Sequence, residues 1–313
     1  MYLSELTYSQ YEDMKENQEF WNEKMIGILT QWGKNFTCLK RYSYGANIVY
    51  NCDDKLVIKL FPDHLNDQFI RELAVLEAIQ EKVKIVETPR LIHHGSFEGW
   101  SFIIMTLVEG ELLIDIWYEL SFDEKINLSK DLAKTIKEFH RIPLNGLEKT
   151  LPNNWREFIE HQFRNMKAYH QSLGLDESFL KELELYVEEF YLEKNPKKTL
   201  LTGEYTPYNL LMNQVDGKWK LNGVIDFADC FLGDADYDLL GPILFMFNSN
   251  QPLIYAFLDS YGYPGLNDYL QKKLMSYAIL HRFSDLSFFA SQSVLAKQAK
   301  SIDELARILF PLK

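Results

Sequence analysis

The chain has 313 residues, 47% apolar and 25% charged, with a formal net charge of −12. That length holds one large or two medium domains with ample core, and an acidic balance of this size either serves solubility alone or repels nucleic-acid backbones and favours cationic small molecules. Three cysteines (Cys38, Cys52, Cys230) without paired spacing argue against a disulfide framework or a zinc site.

The longest apolar run, Leu239 to Phe247, is interrupted by Gly241 and Pro242 and is far too short to span a bilayer. The opening segment, MYLSELTYSQYEDMKEN, is polar and acidic and reads as neither a secretory signal nor a transit peptide. A cytoplasmic protein with no membrane and no nucleic-acid partner is expected, and its oligomeric state is not legible.

Residues 16–33 place Phe20, Trp21, Met25, Ile28, Leu29 and Trp32 at helical spacing and end at Gly33, which predicts an amphipathic helix. Gly27 to Asn35 brushes a phosphate-loop pattern, but it has one spacer too many, Asn for Ser/Thr and no preceding strand. From Thr37 to Leu60, alternation predicts three strands, the last reached through an Asp53–Asp54 turn. Gly45 sits in the first turn, as a plain hairpin glycine or as a point of close backbone approach to a ligand. Lys59 is the one charge in the apolar run Val57–Leu60, where an exposed-face lysine is the ordinary reading.

A helix from about Asn66 to Glu81 sets Phe69, Leu73, Leu76 and Ile79 on one face, with Glu72 at its border. Pro89–Ile92 begins a strand, and His94–Gly95–Ser96 reads as the turn to another at Trp100–Met105. His93 and His94 lack partners at metal spacing and read as structural. The apolar run Phe102–Met105, followed by Thr106 to Glu111, marks a boundary. Ser121 to Glu124 is a capping box opening a helix to about Arg141, which leaves His140 as a buried structural histidine. Residues 150–196 and 252–313 read as further helices.

The stretch Leu200 to Phe247 carries the chemistry. Leu200–Leu201 with Leu210–Met212, and Leu221–Phe227, read as two buried strands, whose hairpin would set Asn209 and Asp226 at one end. Two oxygen donors suit a magnesium ion that also holds phosphates. The segments TGEYTPYN (202–209), VIDFAD (224–229) and GDADYDL (233–239) are similar to the catalytic segment of the aminoglycoside phosphotransferase and choline kinase group, related to protein kinases. That pattern runs H-G-D-x-x-x-x-N, I-D-[FW], then G-D-x-x-Y-D-[LI]; here Thr202 stands in place of the His and Glu204 in place of the catalytic Asp.

The resemblance implies an α+β, two-lobed protein-kinase-like fold: a small mixed β-sheet lobe over residues 1–106 and a larger, mainly helical lobe over 107–313. It implies that Glu204 orients the acceptor hydroxyl, that Asn209 and Asp226 hold Mg2+, and that Lys59 holds the phosphates while Glu72 fixes the lysine. Gly45 would cover the nucleotide, and hinge main chain at Met105 and Leu107 would meet the purine. His140 falls in the group's Leu-His segment. Asp238 would cap a helix start or brace the catalytic-loop backbone. Asp229, Asp234 and Asp236, with Glu204, form either a solvated loop or an acidic neighbourhood for an aminated substrate.

The expected function is a small-molecule kinase that transfers the γ-phosphate of ATP or GTP to a hydroxyl of an aminoglycoside-like or other cationic acceptor. A nucleotide-binding pseudokinase serving as an interaction module is the alternative. A protein kinase is disfavoured, because no peptide-binding activation loop ending in A-P-E fits between Asp226 and Asp238.

Overall fold

The computed structural model describes residues 1–43, 45–189 and 196–312. The chain divides into two compact units, Met1–Glu109 with Val224–Asp229, and Gly110–Gly223 with Cys230–Lys313.

The first unit is built on an antiparallel sheet of β1 (Leu39–Tyr42), β2 (Ile48–Cys52), β3 (Leu56–Phe61), β4 (Leu91–Phe97) and β5 (Trp100–Thr106), in the order β1-β2-β3-β5-β4. Asp53 and Asp54 both take positive φ (53° and 52°) in the three-residue connection 53–55, across which Cys52 pairs with Leu56. The turn expected at His94–Gly95–Ser96 is not there. Those residues lie inside β4, and the chain reverses at Glu98–Gly99 (φ 48° and 90°). Gly95 pairs with Phe102, whose ring lies 3.1 Å from where a Cβ would be, so the aromatic covers a strand glycine instead of marking a bend.

A short 3-10 turn at Leu3–Glu5 and two α-helices precede the sheet. The helix α1 (Tyr8–Met14) opens on a capping box formed by Thr7 and Gln10. The helix α2 (Gln18–Trp32) ends on Gly33 in the left-handed conformation, as the spacing predicts. Trp21, Met25, Ile28 and Leu29 join Ile48, Tyr50, Ile58, Leu60, Phe102 and Ile104 in one core, where each large side chain contributes roughly 1.5–3 kcal/mol by leaving water. The helix α3 (Asn66–Ile79) packs on β3, β4 and β5. Its buried stripe is Glu72, Val75, Leu76 and Ile79, while Phe69 and Leu73 are only half-buried. Glu72 is therefore central to the inward face and not at its border.

The second unit is mainly helical. Ser121 caps the Phe122–Phe139 helix through the expected box with Glu124, and the Gln251–Tyr261 helix packs along it. The Trp155–Ser172 and Asp268–Leu280 helices pack on each other. Its strands pair differently from the expected hairpin. β7 (Thr199–Leu201) pairs antiparallel with β10 (Phe231–Gly233), Leu201 facing Phe231. β8 (Leu210–Val215) lies between β6 (Glu111–Leu112) and β9 (Lys218–Val224). Gly203 at φ 74° turns the chain out of β7, so Leu200–Leu201 never align with Leu210–Met212. The second run ends as a strand at Val224, short of Phe227. Among the described residues, no helix is long and apolar enough to cross a membrane.

Candidate functional site

An ammonium in the middle of an apolar strand must find compensation or give up its charge. Lys59, 4% exposed, finds two carboxylates within the first unit. Its Nζ stands 2.7 Å from Glu72 Oε2 and 2.8 Å from Asp226 Oδ1. Burial alone would push the lysine down, but the charges of Asp226 and Glu72 outweigh it and raise the lysine above its ordinary value. Burial pushes Glu72 up to about 7 in spite of its ion pair. Asp226 moves the other way: burial opposes its charge, yet Lys59 and the Ala228 amide (3.2 Å) hold it below the usual carboxylate range.

One cation against two carboxylates leaves a negative excess, and the Asp226 side chain is 40% exposed. Asp226 also takes φ 66°, an uncommon conformation for a residue with a Cβ, held here by its bonds to Lys59 and Ala228. Gly45 lies in the β1–β2 turn at φ 97°, and nothing comes within 4 Å of where its Cβ would be. Met105 is buried in β5, paired with Val57 on one side and Leu91 on the other. The Thr106 amide donates to Arg90 O (2.9 Å) and the Leu107 amide to Lys55 O (2.9 Å). A base lying along this segment would be met by groups other than the Leu107 N–H.

The loop 202–209 lies in the second unit. Buried Asp238 accepts from the amides of Thr202 (3.0 Å) and Gly203 (2.8 Å) and stands 3.1 Å from His140 Nε2, whose Nδ1 meets Tyr261 Oη at 2.9 Å. Of the two roles expected for Asp238, the brace is realised; the residue capping the short 3-10 helix Ala235–Leu239 is Asp234. A side chain at Gly203 would be strained by the backbone at φ 74°, and its Cβ, 2.6 Å from Arg282 Nη2, would push the guanidinium aside. That guanidinium lies over the rings of Phe231 (4.9 Å) and Phe283 (4.8 Å). Glu204 is half-exposed. Asn209 donates from Nδ2 to the Glu204 carbonyl (3.0 Å) and reaches its Oε2 at 3.5 Å. With Nδ2 so engaged, Oδ1 is the end of Asn209 suited to a cation.

Asp234 and Asp236 are not a solvated loop: they are buried, and one internal cation, Lys273, already pairs with both. Lys273 pairs with Asp234 at 3.0 Å and with Asp236, while Tyr277 Oη donates to Asp234 (2.7 Å) and Tyr263 Oη to Asp236 (2.9 Å). Asp229 lies in the first unit, with Gln68 Nε2 at 3.5 Å. Lys273 and Arg282 carry no sequence signal, because nothing in a helical run shows which cation turns inward. Among the described residues no three His, Cys, Asp or Glu side chains are placed to hold a metal. A cation at Asp226 or Asn209 would complete its shell with phosphate and water oxygens, which suits magnesium.

Residues 46–271 match the model of the phosphotransferase enzyme family (APH). The GDP complex of an aminoglycoside 2'-phosphotransferase-IIIa is similar at 21% identity, covering 95% of this chain and 97% of that one, with a TM-score of 0.72. The GDP and kanamycin complex of an APH(2") is also 21% identical, covering 92% and 96%, with a TM-score of 0.70. These likenesses show a protein-kinase-like fold. The lysine-specific demethylase JMJ21 of Arabidopsis thaliana is 20% identical over 271 residues, 68% of this chain but only 29% of that protein.

Proposed function

The chain belongs to the phosphotransferase enzyme family, and from that premise we propose that it transfers the γ-phosphate of ATP or GTP to a hydroxyl of a small cationic acceptor. The observation that carries this reading is the Lys59–Glu72–Asp226 triad, a buried ammonium held charged and fixed in place beside a carboxylate open to solvent. Phosphoryl transfer asks for positioning and charge neutralisation more than for covalent chemistry. Lys59 would neutralise phosphate oxygens, with Glu72 setting its position. Asp226 and the Asn209 carbonyl would hold Mg2+, which when bound neutralises charge on the β- and γ-phosphate oxygens. Glu204 would orient the acceptor hydroxyl and take its proton. Its loop is suited to that work, since Asp238 pins the two preceding amides and Asn209 holds its carbonyl.

The GDP and kanamycin held by the similar structures support a purine nucleotide and a hydroxylated, aminated acceptor. The net charge of −12 favours such a cation electrostatically. The burial of Asp234 and Asp236 removes one local source of that attraction, so the preference rests on the whole acidic surface and on Glu204. A mass-spectrometric screen with Mg-ATP and Mg-GTP, using kanamycin, other hydroxylated amines and neutral sugars as acceptors, tests the proposal. A gain of one phosphate on amines is expected. Transfer to neutral sugars alone would remove the cationic acceptor.

A further inference from the structure

The β1–β2 turn has an open side and a held side. On the open side Gly45 leaves its surroundings clear, and Ser43, Gly45 and Ala46 are exposed. Such a turn wanders unless something ties it down. The held side has two tethers. The Tyr11 hydroxyl, from α1, donates to the Ala46 carbonyl. The Asn47 carboxamide donates to Gln68 Oε1 on α3 at 3.0 Å, and Gln68 lies against Asp229, three residues beyond Asp226.

The Tyr11 tether is stiff. Its ring is 1% exposed and packs edge-on against Trp100 and His64 (both 5.7 Å between centroids) and Trp21 (6.0 Å). The hydroxyl therefore sits on a core-anchored lever, and burial raises it above the ordinary tyrosine value, so it stays a donor at every working pH. β2 starts at Ile48, directly after the tethered residues, and its next residue, Val49, pairs with Lys59 on β3. The turn that Tyr11 holds is thus registered on the strand that carries the phosphate-facing lysine. Tyr11 lies before residues 46–271, the span matched by the family model.

We infer that Tyr11 is a positioning residue for the nucleotide phosphates, acting through the Ala46 carbonyl to fix the Gly45 turn, an inference that rests on the phosphotransferase reading. The ring serves the core, whereas the hydroxyl serves the turn, and the two are separable. Tyr11→Phe deletes one oxygen and keeps the packing. Calorimetric titration of the full chain with Mg-ATP and Mg-GTP, and with adenosine and guanosine, distinguishes the roles. The Kd of the Mg-triphosphate should weaken about three- to tenfold in Tyr11→Phe, as expected for one lost hydrogen bond, while the nucleoside Kd stays within twofold of wild type. Asn47→Ala, which cuts the other tether, should show the same split. An unchanged triphosphate Kd in Tyr11→Phe overturns the inference, and so does equal weakening of triphosphate and nucleoside, which assigns the hydroxyl to the fold alone. Wild type binding neither Mg-triphosphate sinks the phosphotransferase reading and this inference with it.

Discussion

Lys59 and Asp226 stand 167 residues apart in the chain and 2.8 Å apart in space, inside one compact unit. The segment Val224–Asp229 has left its sequence neighbours to join the sheet unit, where the Val224 amide donates to Glu87 O at 3.0 Å. The ion pair makes the apolar strand tolerate its lysine, and it gives Asp226 a fixed direction.

Removing the ammonium leaves two carboxylates without compensation. Lys59→Met, which keeps the apolar stem, should destabilise the protein by roughly 3–5 kcal/mol at neutral pH. The deficit in melting temperature should shrink toward pH 5 as Glu72 takes up a proton. An equal deficit at both pH values would deny the coupling between the two side chains.

Glu72 gives a second pH dependence. It titrates near 7 in the folded protein against an ordinary value of 4.5. The folded state binds its proton more tightly, so the stability from this group is fully present below about 4.5 and is lost as pH rises through about 7. Glu72→Gln imitates the protonated form without titrating. It should match wild type near pH 5 and melt several degrees higher at pH 8, with an upper bound on the order of 3 kcal/mol. Its triphosphate affinity should fall, because Lys59 loses its fixed partner. A variant less stable than wild type at pH 8 would show that the ion pair outweighs the cost of burying the charge.

Much of this half of the site was legible in the sequence. Lys59, Glu72 and Asp226 occur in the order the resembling family uses, and caps at Gly33 and Ser121 gave the helix boundaries. What was not legible is non-local. The partner of β7 lies some 30 residues away, and a short apolar run does not name its partner. Gly95 reads as a turn residue in sequence, whereas Phe102, on the neighbouring strand, supplies the cover that lets it lie within β4. Asp234 and Asp236 read as a solvated loop or an acidic substrate neighbourhood because the cation that pairs with both, Lys273, sits on a helix nearly 40 residues downstream. The Thr7–Gln10 capping box is a sequence signal that alone marks the start of α1.

Lys273 supplies the third prediction. Lys273→Met leaves Asp234 and Asp236 buried with the tyrosine hydroxyls and the Asp236 amide as partners but without their cation, so the variant should lose about 3–5 kcal/mol of stability. Adding Asp236→Asn, which removes one of the two charges, should recover part of the loss. Calorimetric melting of the single and double variants measures it. A fully additive loss would mean the side chains do not act as one network.

Asp238 supplies the fourth. Asp238→Asn keeps the size but sets an amide where two backbone N–H groups now find carboxylate oxygens. Turnover should fall at least 10²-fold by misplacement of the Glu204 loop, while Mg-nucleotide affinity stays near wild type. Loss of nucleotide affinity with turnover intact would assign Asp238 a different role.

The most direct measurement of the central claim is single-turnover phosphate transfer from Mg-ATP or Mg-GTP by wild type and Glu204→Gln, run beside calorimetric titration of the same nucleotide. Glutamine keeps the length of Glu204 but removes its charge and its capacity to take a proton. The account predicts that transfer to the acceptor falls to background in Glu204→Gln while the nucleotide Kd stays within a fewfold of wild type. Equal phosphate transfer in the two proteins, with every acceptor tried, would contradict it and leave a nucleotide-binding module in its place.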